Sequence, residues 1–316
     1  MSILAGIDCG TNSIRLLIAQ QQEDGTLKDL VREMKVVRLG QDVDKTGRLA
    51  PEALERTFAA VEEYAQKIRE YDVQKALFVA TSASRDAENA ADFVSGVKAR
   101  LGIEPAVISG DQEAQFSFSG ALSGVGSSLT GPLLVVDIGG GSTEFVRGTE
   151  TAQSAISTDM GCVRVTERFL KDGRVEEAKE FINGLLDEAD QVVDFSSINT
   201  LVGLAGSVTT ITAYALGLEK YDPQRIDGTQ LSPQDVIKAC EGLRQASEEA
   251  KAQMGFMHPG RRDVIAAGAL IWQLIVERLL AAREEAGQEL NPVVTSEHDI
   301  LDGITLAAAQ LGQTPQ

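Results

Sequence analysis

Apolar residues recur along this chain with two spacings, and the switches between them mark its elements. The run Leu133-Leu134-Val135-Val136 reaches a carboxylate at Asp137, continues through Ile138 and passes three glycines and a serine, Gly139 to Ser142. It then resumes as the alternating Thr143-Glu144-Phe145-Val146. The pattern predicts a strand, a tight turn and a returning strand. The opening of the chain has the same pattern: Ile3 to Ile7, then Asp8-Cys9-Gly10-Thr11-Asn12-Ser13, then Ile14 to Ile18 with Arg15 the one charge inside it. Superposed, Asp8 falls on Asp137, Gly10 on Gly139, Ser13 on Ser142 and Arg15 on Glu144. A repeat of this length predicts two related lobes.

Between and beyond the hairpins the spacing alternates. Asp24-Gly25 suits a hairpin turn. Pro51 begins a helix with apolar positions Leu54, Phe58, Val61 and Ile68. Ala76 to Ala80 reads as a buried strand ending in Thr81-Ser82-Ala83-Ser84-Arg85, and a helix is predicted from Asp86 to Arg100. A strand over Ala106 to Ile108 leads to a helix capped by Ser109 or Asp111. Helices are predicted over 159–170 and 175–193, strands over 200–203 and 292–295, and a strand-to-helix turn over Leu204 to Thr210. Ser232-Pro233-Gln234-Asp235 suits a helix start. The greasiest segment, Val264 to Val276, falls short of a membrane span and predicts a central buried helix. A last helix starts at Asp299. Strands interleaved with helices, plus antiparallel opening hairpins, predict mixed α/β sheets. The Gly- and Ser-rich stretch 120–131 is the expected hinge, giving lobes of 1–125 and 126–316, with the last helix able to return to the first lobe.

Composition narrows the field. A length of 316 residues allows two cores, and 43% hydrophobic content is that of a globular protein. A net charge of −18 argues against nucleic acid and anionic membrane as partners. It also opposes a phosphate substrate unless local cations or a metal reverse the field. Cys9, Cys162 and Cys240 lie far apart without a Cys-x-x-Cys pair, as expected of reduced cytosolic thiols. The chain enters a strand within three residues of its start, which leaves no room for a signal peptide ahead of it.

The candidate chemistry gathers at the two turns. Gly139, Gly140 and Gly141 lack Cβ atoms, so a phosphate can approach the backbone and successive N–H groups can form an anion nest. A plain hairpin turn has the same composition, and the duplication favours the phosphate reading. Asp137 suits a divalent cation, with Glu144 brought beside it by the returning strand. Asp8 could serve likewise or hydrogen-bond its own turn. Arg85, at a strand end, can grip phosphate bidentately, and Arg15 and Arg38 are second candidates. Ser207 and Thr209 can bind phosphate or simply cap their helix. His258 and His298 read as structural. There is no Gly-x-x-x-x-Gly-Lys-Ser/Thr motif, which excludes a P-loop enzyme.

Taken in order, Asp8 to Leu16, Ala80 to Arg85, Ile108 to Ala114, Asp137 to Glu144, Ser157 to Arg164, Arg262 to Ala269 and Ser296 to Gly303 resemble the exopolyphosphatase and guanosine pentaphosphate phosphohydrolase family across essentially the whole chain. That resemblance implies the two-lobed actin-like fold shared with sugar kinases and heat-shock chaperones, with a cleft between mixed sheets. It implies Glu113, in Gly110-Asp111-Gln112-Glu113-Ala114, as the base that activates water. It further implies phosphate binding by Gly10, Thr11, Asn12, Ser13, Arg15, Arg85, Gly139, Gly140, Gly141, Ser142 and Ser207, with Mg²⁺ held by Asp137, Glu144 and Asp8. Inorganic polyphosphate is the expected substrate and guanosine pentaphosphate the alternative; a sugar or acid kinase, an actin-like filament and a non-catalytic polyphosphate binder are more distant ones. A cytoplasmic homodimer is expected on the same basis. The chain departs from the family in Cys9-Gly10-Thr11, where Gly-Ser is usual after the Asp. Its length resembles the short members that lack helical C-terminal domains, from which a preference for short polyphosphate is expected.

Overall fold

The computed structural model describes residues 2–125, 129 and 131–311. Contacts divide the chain into one unit of Met1–Ser123 with Ile300–Gln316 and another of Gly124–Asp299. In the first lie β1 (Ile3–Cys9), β2 (Ser13–Gln21), β3 (Leu27–Val36), α1 (Val43–Thr46), α2 (Pro51–Glu70), β4 (Lys75–Ala80), α3 (Ser82–Asp86), α4 (Ala90–Leu101), β5 (Ala106–Val107) and α5 (Gly110–Val125). The second holds β6 (Leu133–Ile138), β7 (Thr143–Gly148), β8 (Ala152–Thr158), α6 (Cys162–Arg168), α7 (Val175–Val193), β9 (Thr200–Leu204), α8 (Ala205–Ala215), α9 (Pro223–Ile226) and β10 (Gln230–Leu231). It is completed by α10 (Pro233–Gln245), α11 (Glu248–Gln253), α12 (Ile265–Glu285) and β11 (Val293–Thr295), after which α13 (Ile300–Ala308) belongs with the first unit.

The sheets have matching topology. The first runs β3-β2-β1-β4-β5 and the second β8-β7-β6-β9-β11, with β10 added at the far edge. In both, the first three strands are an antiparallel meander and the next two are parallel to the central one. This is the mixed-sheet arrangement expected of the sequence. Each sheet buries its apolar run against helices. Tyr64, Phe78 and Phe93 anchor the first core, and Trp272, Phe145 and Phe195 the second. Helix α12, with 21 residues, is long and apolar enough to cross a membrane, yet Leu270, Ile271, Trp272, Ile275 and Val276 along it are core residues.

Three elements differ from the sequence reading. The helix expected from Asp86 begins at Ala90, because the chain extends at Ala87, and the short helix α3 precedes it. Residues 120–125 of the expected hinge continue α5, and 126–128 and 130 lie outside the described residues. The segment from Ile300, assigned to the second lobe with a last helix able to return to the first, groups with the first unit. The docking of α13 has identifiable causes. A Cβ on Gly6 of β1 would lie 2.2 Å from Thr305 Oγ1, and one on Gly303 would lie 2.0 Å from the Phe116 carbonyl, so both contacts are backbone-close. Arg32 on β3 donates to both oxygens of buried Asp302, at 3.2 and 2.6 Å. Lys75 donates to the Ala309 carbonyl at 2.5 Å.

Candidate active site

In the first unit the predicted residues collect at the C-terminal ends of the parallel strands β1, β4 and β5, where open α/β sheets place ligands. The turn after β1 closes with the Gly10 amide donating to Ser13 O at 3.0 Å. Its carbonyls face the protein: Gly40 N donates to Thr11 O at 2.9 Å, and Val37 N and Arg38 N donate to Asn12 O at 3.1 and 2.9 Å. Arg38 holds a left-handed φ of 51° to make this bond, an unusual conformation for a residue with a Cβ. A Cβ on Gly40 would lie 2.3 Å from Thr11 Cγ2, so glycine lets the covering segment close on the turn. The Thr11 hydroxyl bonds that of Ser82, 2.9 Å away, and ties the turn to the end of β4.

Asp8 and Arg15 are cross-strand partners, and Asp8 Oδ2 accepts from Arg15 Nε at 2.9 Å and Nη2 at 2.6 Å. Asp8, expected as a metal ligand, thus has an oxygen committed to a guanidinium. Arg15, expected at phosphate, is in the same ion pair. Burial, and secondarily the Asp8 carboxylate, pushes the Cys9 thiol well above its ordinary value, in keeping with an inert filler.

Arg85 lies in the last turn of α3 and reaches across to the next strand end. Its Nη1 donates to Ile108 O at 2.9 Å and to Glu113 Oε2 at 3.2 Å. Glu113 is buried in the first turn of α5. That turn is fixed by a reciprocal cap, with Gln112 N donating to Ser109 Oγ at 3.3 Å and Ser109 N to Gln112 Oε1 at 3.1 Å. The structure therefore brings together the first turn, Ser82, Arg85 and Glu113 on one sheet edge.

The second unit repeats the arrangement on β6 and β9. Gly139 N donates to Ser142 O at 3.0 Å, the same closure as in the first turn. Here Cys162 N donates to Gly139 O at 3.0 Å, and Val163 N and Arg164 N donate to Gly140 O at 2.9 and 3.1 Å. Arg164 Nε donates to Gly141 O at 2.8 Å. A Cβ on Gly161 would lie 2.1 Å from the Gly140 carbonyl oxygen, so only glycine allows α6 to approach. Among the described residues, the amides of Gly140, Gly141 and Ser142 have no backbone acceptor.

Asp137 and Glu144 are cross-strand partners, as Asp8 and Arg15 are, and both are buried. Ser157 on β8 donates to Glu144 Oε1 at 2.7 Å. No cluster of three or more His, Cys, Asp or Glu occurs among the described residues. Two buried carboxylates fit Mg²⁺, which keeps several waters and takes its other ligands from substrate phosphate, better than a metal needing an all-protein cage.

Ser207, expected at phosphate, is 3% exposed and lies under Gly268, where a Cβ would be 2.4 Å from its Oγ. It also hydrogen-bonds the Cys162 thiol, which burial raises above its ordinary value. The Tyr221 hydroxyl donates to Glu297 Oε1 at 2.5 Å and lies 2.8 Å from Thr209 Oγ1, whose hydroxyl can donate to it. Sequence reasoning missed Ser82, Arg164 and Arg261. Arg261 Nη1 donates to Gly206 O at 2.9 Å, and a Cβ on Gly206 would lie 1.8 Å from its Nη2, so that guanidinium lies against the start of α8. No spacing rule places Arg261 there; Arg164 follows the Gly161-Cys162 pair, and that proximity to a glycine was the available signal. His258 accepts from Gly260 N at 3.1 Å, and burial, then Arg261 and Arg262, lowers its pKa, as for a structural cap.

Residues 17–285 match the model of the Ppx/GppA phosphatase family. The chain is 41% identical to Exopolyphosphatase 2 of Mycobacterium tuberculosis over 97% of its own length and 98% of that protein's. It is 32% identical to a bifunctional 3-dehydroquinate synthase/phosphatase of Fusobacterium nucleatum, spanning 97% of this chain but 46% of that one. Among solved structures, an exopolyphosphatase-like protein superposes with a TM-score of 0.93 at 42% identity, over 97% of both chains. The Aquifex aeolicus Ppx/GppA family member superposes with 0.78 at 31%, over 98% of both. The duplicated turns, the Arg85–Glu113 pair and the paired carboxylates stand in a chain that belongs to the Ppx/GppA phosphatase family.

Proposed function

We propose that this enzyme is an exopolyphosphatase that removes the terminal phosphate of inorganic polyphosphate by direct attack of water. The Arg85–Glu113 contact carries the reading. A buried carboxylate, fixed by a capped helix turn and one guanidinium contact, suits a general base that orients a water and takes its proton. Arg85 holds the carboxylate in place and offers positive charge to the transferring phosphoryl group. The amides of Gly140, Gly141 and Ser142 in the second turn, and of Asn12 and Ser13 in the first, bind phosphate oxygens as preorganised donors.

Asp137 and Glu144 hold Mg²⁺ in this reading, and Ser157 fixes Glu144. When bound, Mg²⁺ neutralises charge on the phosphates. Asp8 is left out because Arg15 occupies it, and Ser207 supports the start of α8. The relative named an exopolyphosphatase supports polyphosphate as substrate. The reading has the enzyme working in the cytoplasm as a homodimer, in accord with three free, buried cysteines for the compartment and with the family resemblance for the dimer. Light scattering checks the dimer: a monomer mass at micromolar concentration rejects it.

Phosphate release from polyphosphate, guanosine pentaphosphate and ATP, measured side by side with Mg²⁺, tests the substrate. Release from polyphosphate at the highest kcat/KM is the expected result. Faster release from guanosine pentaphosphate would assign that substrate instead, and consumption of ATP dependent on a second acceptor would make the chain a kinase.

A further inference from the structure

The second turn differs from the first in one respect that bears on phosphate. In the first, every carbonyl contact described comes from a backbone amide. In the second, a side chain supplies one: Arg164 Nε on Gly141 O, at 2.8 Å. The peptide group is planar and trans, so its C=O and the next residue's N–H point in opposite directions. Fixing the Gly139 carbonyl directs the Gly140 amide away from α6, and fixing the Gly140 carbonyl does the same for Gly141. Backbone amides 162–164 perform both of these tasks. Only Arg164 holds the Gly141 carbonyl among the contacts described, and that carbonyl shares its peptide with the Ser142 amide.

Gly141 has no Cβ to resist rotation of this peptide. Turned over, it would present a carbonyl oxygen to the phosphate in place of a donor. The guanidinium is suited to prevent this. It is 13% exposed, its Nη2 lies 3.5 Å from Asp159 Oδ1, and its own backbone amide is already bonded to Gly140 O, so its position is fixed at both ends.

We infer that Arg164 is a positioning residue: it locks the Gly141–Ser142 peptide so that three successive amides, of Gly140, Gly141 and Ser142, converge on a substrate phosphate. The inference rests on the proposed phosphate-binding role of this turn. Arg164 touches no reacting atom; it acts through the orientation of one peptide. The bond is given by Nε, so the geometry counts as well as the charge, and lysine can restore the contact with a single donor.

The test is amide NMR of the labelled enzyme titrated with inorganic phosphate, alongside kinetics. In wild type the Gly140, Gly141 and Ser142 resonances are expected to shift together and saturate. In Arg164→Met the Ser142 shift is lost, the phosphate inhibition constant rises about 10- to 100-fold, as for loss of one charge-assisted hydrogen bond, and kcat/KM falls in parallel. Arg164→Lys recovers most of both, and the denaturation midpoint without phosphate changes little in either. If the wild-type amides do not respond to phosphate, the turn is not a phosphate site and both readings fall. If they respond and Arg164→Met keeps the Ser142 shift and the inhibition constant, the phosphate turn stands and the role of Arg164 is wrong. If the methionine variant does not fold, the lysine variant decides: a Ser142 response at wild-type phosphate affinity supports the lock, and its loss from a folded Arg164→Lys overturns single-donor rescue and with it the inference.

Discussion

The two glycine hairpins share a backbone and differ in charge. Both close with the same amide-to-carbonyl bond at 3.0 Å, and both have their carbonyls held by the segment that follows the third strand. At the position two residues beyond the turn serine, however, the first copy has Arg15 against Asp8 and the second has Glu144 against Asp137. A cation beside a carboxylate makes a closed ion pair. In the proposed reading, two buried carboxylates side by side suit a bound cation. On that reading the shared backbone serves phosphate in both copies, and the difference in charge sign separates an ion-paired hairpin from one that holds Mg²⁺. The base proposed here, Glu113, comes from α5 in the first unit.

That asymmetry is broken most severely at the base. Glu113→Gln keeps the shape and the contact with Arg85 but removes the proton acceptor, and turnover should fall by about 10²–10⁴-fold. Substrate binding should be preserved. A variant with more than half the wild-type rate at saturating substrate would move the base elsewhere.

The glycines that admit the covering segments give the next effect. At Gly161 an added Cβ meets the Gly140 backbone at 2.1 Å, and at Gly40 it meets the Thr11 side chain at 2.3 Å. Backbone cannot move aside as a side chain can. Gly161→Ala should therefore cost about 3 kcal/mol and Gly40→Ala about 1 kcal/mol, read from urea unfolding. The opposite order would mean that the first turn is the more rigid of the two.

The charge difference predicts the metal response. Asp137→Asn and Glu144→Gln should each raise the Mg²⁺ concentration for half-maximal activity about tenfold or more, while Asp8→Asn leaves it near wild type. Mn²⁺ binding followed by electron paramagnetic resonance should rank the variants in the same order. An equal shift in Asp8→Asn would restore Asp8 as a ligand and erase the proposed distinction between the hairpins.

Much of this was legible in the sequence, because its signals are local. The alternating strands on either side of Gly10 and Gly139, the helix spacing after Pro51 and the Ser109 and Ser232 caps all act within a few residues of themselves. The repeat exposed the matching turns for the same reason. What the sequence hid depends on residues far apart in the chain. The ion pair that occupies Asp8 could be drawn from register, but Arg261 against Gly206 and Asp302 against Arg32 join positions that no periodicity relates. Ser207 stands at a helix start, where it can bind phosphate or cap, but its close approach to Gly268 on another helix is not readable from the sequence. The return of α13 to the first unit, which the sequence reading allowed, is held by close contacts at Gly6 and Gly303, and glycine in a sequence does not say what will approach it.

The smallest effect concerns the field around both hairpins. The chain carries a net charge of −18, and the larger share of that acid lies in residues 124–299. In the proposed reading a terminal phosphate held by the amides and Mg²⁺ would be shielded from this surplus, and the rest of a long polyanion would lie over protein surface and would not be. Each added phosphate there meets like charge, so kcat/KM per chain end should fall by a few-fold as polyphosphate lengthens from a few units to hundreds. The repulsion is screened over about 10 Å at 0.1 M salt, so the decline should flatten as ionic strength rises with free Mg²⁺ held constant. Replacing exposed acids of the second unit, such as Glu176 and Glu188, by glutamine should flatten it more than the same change at Glu52 and Glu55 in the first. Efficiency that is independent of chain length, or that rises with it, would show that the polymer follows a path where local cations outweigh the net charge.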